Sequence, residues 1–248
     1  MSFTGGDSMD KWKHVLICCG ILLTSCLCLA KPDDANPVVT ISTLFESDPS
    51  TMVATRILTE AYAKLGMTLH VIVMPGERSL ISANSGVTDG ELYRKGDISK
   101  NYPNLRIVPI PLMRYEIVAF CRCAPFTISG WESLKSYRIG YIRGVKIIEQ
   151  NTVGMDAEPV GTMEQVFRKL ELGRSDIVLA NRVTGIALLR AQQWNDVIVL
   201  QPALANFPVY HYLSKNHEDL VPKLTEVLRQ MEKNGSLERI QREVFSGY

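Results

Sequence analysis

The sequence predicts an α/β protein built as two blocks, each a mostly parallel sheet flanked by helices, with two crossovers between them. Three observations predict it. Short apolar runs alternate with segments of helical periodicity, the pattern of strand–helix–strand units. The alternation occurs twice, over 37–86 and again over 137–194. Long extended runs at 105–123 and 196–214 follow the two blocks, where a chain passing between two lobes would run.

The elements follow in order. "PVVTISTL" (37–44) reads as a strand and 47–66 as a helix. Ser47 or Asp48 can cap that helix, Pro49 suits its first turn and Gly66 can end it. Met52, Val53, Ile57, Leu58, Ala61 and Leu65 fall on one face at helical spacing. A second strand covers 67–74 and a short helix 77–86. Within 105–123, Pro109 and Pro111 remove ladder donors, so the run is a crossing segment and not one central strand. The second block has strands at 137–144, 157–161 and 176–182, and helices at 145–152, 162–175 and 183–194. Thr162 is placed to cap the middle helix, and Gly173 stands near its stop. Helices at 217–235 and 236–245 close the chain, with Pro222 in the first turn of the former.

The chain of 248 residues, 46% hydrophobic, is long enough for a sizeable core. Its 27 Lys and Arg balance 26 Asp and Glu. No basic stripe stands out, which argues against a nucleic-acid partner. At the N-terminus, Lys11 and Lys13 precede the apolar run 15–30, which is short for a membrane span and right for a signal-peptide core. Cleavage after Ala30 is the expectation, which places the protein in the periplasm. "LTSC" (23–26) also resembles a lipobox, which would put a lipid on Cys26; an uncleaved anchor is the third reading. Four of the six cysteines lie in this run. The remaining pair, Cys121 and Cys123, would share one face of a strand. Two buried thiols are expected there, with a strained disulfide as the alternative.

One stretch carries most of the functional signal. "MPGERSLISANSGVTDGELYR" (74–94) places Glu77, Arg78, Glu91 and Arg94 near the ends of short elements, beside glycines. In alternating α/β sheets, ligands bind at the carboxyl ends of strands and near helix N-termini. The same logic marks Phe45 and Glu46 at the end of the first strand, Arg143 and Gly144 at the end of the strand at 137–144, and Thr162 at a helix start, while Tyr210 stands where the second extended run returns to the first block. His70, His211 and His217 lack metal-ligand spacing. The chain shows no Gly-x-Ser-x-Gly, His-Glu-x-x-His or phosphate loop, and no cofactor is expected.

The strand–helix order, that stretch, "YPNLRIVPIPL" (102–112), "YRIGYIRGVKI" (137–147) and "GTMEQVFRKLELGRSDIVLANR" (161–182) resemble bacterial solute-binding protein family 3. The resemblance covers about 37–247. It implies the bilobal type II periplasmic-binding fold, with a discontinuous lobe (31–122 plus 207–248) and an inserted lobe (123–206). It further implies a cleft closing on an amino acid or related carboxylate, a membrane permease or sensor as partner, and a monomer. An arginine would clamp the ligand carboxylate, with Arg94 the closer match and Arg78 the second. The family's acid for the ligand ammonium falls on Asn181. Another acid (Glu46, Glu77, Glu91 or Glu164) would then serve, or the ligand lacks a free α-amine. A sensory module without transport and a dehydratase-type enzyme using Glu77, Glu91 or Glu164 are the competing readings.

Overall fold

The computed structural model describes residues 36–44, 48–74 and 77–246. The signal segment, Cys26 and the cut after Ala30 lie outside the described residues, as do Phe45 and Glu46. Chain order is β1 (Val38–Thr43), α1 (Pro49–Ala63), β2 (Thr68–Val73), α2 (Arg78–Ser85), β3 (Gly90–Lys95), β4 (Leu105–Ile107) and β5 (Met113–Cys121). Then come β6 (Ile139–Ile142), α3 (Lys146–Asn151), β7 (Ala157–Val160), α4 (Met163–Glu171), β8 (Ile177–Asn181), α5 (Arg182–Ala191), β9 (Ile198–Val199), β10 (Ala205–Ser214), α6 (Leu220–Lys233) and α7 (Ser236–Phe245).

The caps follow the side-chain chemistry. Asp48 caps α1, accepting from the backbone N–H groups of Ser50 and Thr51, and Pro49 opens the helix. Thr162 and Gln165 form a reciprocal capping box on α4. Asn181 caps α5 by accepting from the Thr184 N–H.

The two predicted parallel blocks are β2-β1-β3 and β8-β6-β7. Their relation differs from the expected pair of separate sheets. The crossovers β10 and β5 pair antiparallel, Ala205–Val209 against Met113–Ile117, so one ladder runs β2-β1-β3-β10-β5-β8-β6-β7. Two adjacent extended segments satisfy each other's backbone groups this way. The prolines do break the first extended run, dividing it into β4 and β5.

Val53, Ile57, Leu58 and Ala61 of α1 pack in one core cluster with Leu224 and Leu228 of α6 and Leu237 and Ile240 of α7. Met52, expected on that face, is 40% exposed. A second cluster gathers around Phe120 and Phe167, whose rings meet edge-on at 5.1 Å. Cys121 and Cys123 form a disulfide, which replaces the expected pair of thiols. β5 ends at Cys121 and the chain bends at 122–123, bringing the two Cα atoms to 5.4 Å, within the span of a disulfide.

Strand β3 is the element that sequence reading left unassigned, and it lies mid-sheet between β1 and β10. Its register against β10 slips: Arg94 faces Tyr210, while Glu91 faces Tyr212. Three steps along β3 thus match two along β10, a bulge that resets the alternation of side chains. His211 stands opposite the extra residue. Its Nδ1 lies 3.0 Å from the Glu91 carbonyl oxygen and 3.2 Å from that of Leu92, so this nitrogen carries the proton. Nε2 therefore accepts from the Tyr62 hydroxyl at 2.9 Å. Gly90 opens the strand because a β-carbon there would stand 2.2 Å from the Tyr212 carbonyl oxygen.

Burial pushes the His211 pKa down to about 4. The unfolded chain takes up that proton near pH 6.5. The contribution of neutral His211 is therefore complete above pH 6.5 and disappears as pH falls from 6.5 to about 4. The loss amounts to about 3 kcal/mol. Urea denaturation at pH 7 and pH 4.5 should show that part of the acid destabilisation vanish in His211→Gln; an unchanged acid loss would remove His211 from the account.

Candidate functional site

A cavity of about 170 Å³ opens where the end of β3 meets the start of α3. Tyr93, Arg94 and Lys95 bound it from β3, Ile98, Lys100 and Tyr102 from the turn beyond. Tyr115 of β5 and Phe207 and Val209 of β10 form the floor. Val145, Lys146 and Ile147 face them from the other block. The crossovers and the first block thus make one wall and the second block the other.

Arg94 is anchored from behind. Its Nε and Nη2 each lie 2.7 Å from Glu91 Oε1, and Nη2 donates to Ser79 Oγ at 2.8 Å. Glu91 is completely buried and also accepts from Ser42 Oγ at 3.1 Å and Ser79 Oγ at 3.3 Å. Residues three apart on a regular strand point to opposite faces, and the bulge is what lets this pair meet. Burial raises the Glu91 pKa, opposed by the Arg94 charge and by hydrogen bonds from Arg94, Ser42 and Ser79. Two edges of the guanidinium are therefore committed. Nη1 remains, 3.5 Å from the Gly144 carbonyl oxygen across the cavity.

Other contacts join the two walls. Lys146 pairs with Glu77, which also accepts from the Tyr102 hydroxyl at 2.8 Å. The hydrogen bond from Lys146, then that from Tyr102, holds the Glu77 carboxyl below its usual range. Thr184 Oγ1 donates to Asp48 Oδ1 at 3.0 Å, and Ser50 Oγ to Asn181 Oδ1 at 3.5 Å. Gly144 takes φ +91°, a left-handed conformation suited to glycine, and its N–H donates to Glu149 Oε1 at 2.7 Å.

The remaining residues singled out from the sequence scatter. Arg78 and Arg143 are exposed and line no part of the cavity; neither makes an ion pair among the described residues. Thr162 is an exposed cap and Asn181 a buried one. Tyr210 packs against the cluster of Leu80, Leu105 and Tyr212, beside Gly96. Of the acids offered for an ammonium, Glu91 is behind Arg94, Glu77 is paired with Lys146, and Glu164 is exposed on α4. Sequence reading passed over Asp48, Tyr93, Tyr115 and Phe207. Asp48 was read as a cap alone. Burial first, and then the Asp48 charge, raises the Tyr93 and Tyr115 pKa values, so this carboxylate lies close to both rings.

No family model matches the chain. An uncharacterized protein of Shewanella oneidensis is 25% identical over 228 residues, 84% of this chain and 83% of the relative. The L-cystine-binding protein TcyJ of Escherichia coli K12 is 26% identical over 123 residues, 48% of this chain and 46% of its own length. Among solved structures, a histidine kinase sensor domain with similarity to periplasmic binding proteins superposes with TM-score 0.73 at 16% identity, covering 85% of this chain and 96% of the other. A mutant of ArgBP from T. maritima gives 0.72 at 17%, covering 84% and 95%. The chain has the type II periplasmic-binding fold. The resemblance to solute-binding protein family 3 holds at that level.

Arg94→Ala would leave the Glu91 carboxylate buried without its cation. We expect a loss of about 3–5 kcal/mol in chemical denaturation, with a large part recovered in the Arg94→Ala/Glu91→Gln double variant. Simple additivity of the two changes would show that the pair does not couple.

Proposed function

We propose that the protein is an exported solute-binding protein that captures a small amino acid or related carboxylate between two lobes. The lobes are 31–122 with 207–248, and 123–206. The observation that carries this reading is the cavity itself, walled by β3, β5 and β10 on one side and by the start of α3 on the other. Arg94 Nη1 and Lys146 put cationic donors at its edge. The contacts Glu77–Lys146, Asp48–Thr184 and Arg94–Gly144 span the two walls, and hinge closure on a ligand would form such contacts. The fold shared with the substrate-binding protein of an amino acid ABC transporter, together with the partial sequence match to a cystine-binding protein, supports the choice of solute. The closed form would then be read by a membrane transporter or sensor, and the likeness to a kinase sensor domain supports keeping both partners. The enzymatic reading loses support because Glu91 is pinned by Arg94 and two serines, Glu77 is paired with Lys146, and Glu164 does not line the cavity.

A thermal-shift screen of the purified protein against amino acids, their deaminated analogues and small dicarboxylates tests this. A ligand at about a hundred times its Kd adds roughly 2.7 kcal/mol of stability, a visible rise in Tm. Silence across the panel would overturn the reading. Lys146→Ala should weaken a hit about tenfold while barely moving the Tm of the free protein, since its pair with Glu77 is partly exposed. Mass spectrometry of the exported protein should find Lys31 at the N-terminus; a diacylglyceryl adduct on Cys26 would instead establish lipoprotein processing.

A further inference from the structure

We propose that the solute is a small carboxylate carrying a flat aromatic ring, an assignment that rests on the solute-binding reading above. The floor of the cavity is a row of three rings. Tyr93 and Tyr115 have centroids 6.1 Å apart, tilted 41°, and Tyr115 and Phe207 5.9 Å apart, tilted 38°. These spacings are those of mutually favourable aromatic packing, and a fourth ring laid on the row would extend it. Val145 and Ile147 close the opposite side with apolar surface.

The polar groups suit an anion. Tyr115 is 6% exposed, lines the cavity, and its hydroxyl has no partner among the described residues. It can donate to an acceptor bound in the cavity. Lys100 also lines the cavity without an ion pair among the described residues. Arg94 Nη1, held only by the long 3.5 Å contact to the Gly144 carbonyl oxygen, completes the set.

Aromatic walls also attract cations, so a guanidinium or a quaternary ammonium is the competing occupant. The charges present disfavour it. Lys95 Nζ already stands 5.9 Å from the centre of the Phe207 ring. Of the lining cations, Arg94 is paired with Glu91, Lys95 with Asp97, and Lys146 with Glu77 and Glu149, which leaves Lys100 without an ion pair among the described residues. An anion would meet the unpaired Lys100, whereas a cation would meet no lining acid that is not already paired. Size agrees as well: a cavity of roughly 150 Å³ takes one benzene ring. The 170 Å³ here fits one ring with a short carboxylate arm.

Isothermal titration of the purified protein with phenylacetate, cyclohexylacetate, L-phenylalanine, L-arginine and glutarate tests the assignment. Phenylacetate should bind about fivefold more tightly than cyclohexylacetate, which has the same charge but no flat ring. Phe207→Leu should erase that preference, and Tyr115→Phe should weaken phenylacetate about tenfold while keeping the ring. L-arginine or glutarate binding more tightly than both aromatic acids would overturn the assignment and leave the solute-binding reading standing. So would failure of both aromatic acids alongside a hit in the wider thermal-shift panel. Silence in both panels would overturn the two together.

Discussion

The buried pair of Glu91 and Arg94 is the constraint on which the rest of the site depends. A carboxylate taken fully out of water costs several kcal/mol unless a cation and further donors meet it. Here one guanidinium and two serine hydroxyls do so, one serine from β1 and the other from the first turn of α2. Satisfying Glu91 therefore ties β1, α2 and β3 into one polar knot in the middle of the first block. The pair can form only because β3 carries a bulge against β10. His211, buried and neutral, sits against that bulge and bonds to its carbonyl groups.

The same knot aims the cleft. With two edges of its guanidinium held from behind, Arg94 has little rotational freedom, and its remaining donor edge faces the second block. Orientation costs that a flexible side chain would meet on binding have been met during folding. The aromatic row is positioned by the same strands. Tyr93 is next to Arg94 on β3, while Tyr115 and Phe207 face each other across the paired crossovers. The crossover ladder is thus both the passage between blocks and the floor of the cavity. Contacts from Glu77, Asp48 and Arg94 reach the second block across the cleft.

Much of the fold was legible beforehand. Capping residues, helical periodicity and alternating apolar runs located α1 to α7 and the outer strands, because those signals are local. β3 was not legible. "GELYRK" has charges at Glu91 and Arg94 and reads as the end of a loop, yet it is a central strand whose charges neutralise one another out of water. The cysteine pair is a similar case, since spacing permitted a bond without requiring one. Arg94 lines the cavity because charges at element ends often lie near such openings, while Glu91 stands behind it and Gly144 reaches only its Nη1. Tyr115 and Phe207 were missed because their meeting depends on the pairing of two segments about ninety residues apart in sequence.

The sequence by itself determined the class of fold, the order of helices and outer strands, and the two long crossing segments. These follow from periodicity, caps and proline chemistry, each acting within a few residues. Tertiary structure alone decided which charges line the cavity and which only hold the chain together. Arg78 and Arg94 look alike on paper, and one is solvated on α2 while the other is locked beside a buried glutamate. That difference arises from long-range register, one bulge and the burial it imposes, and nothing local in the chain encodes it.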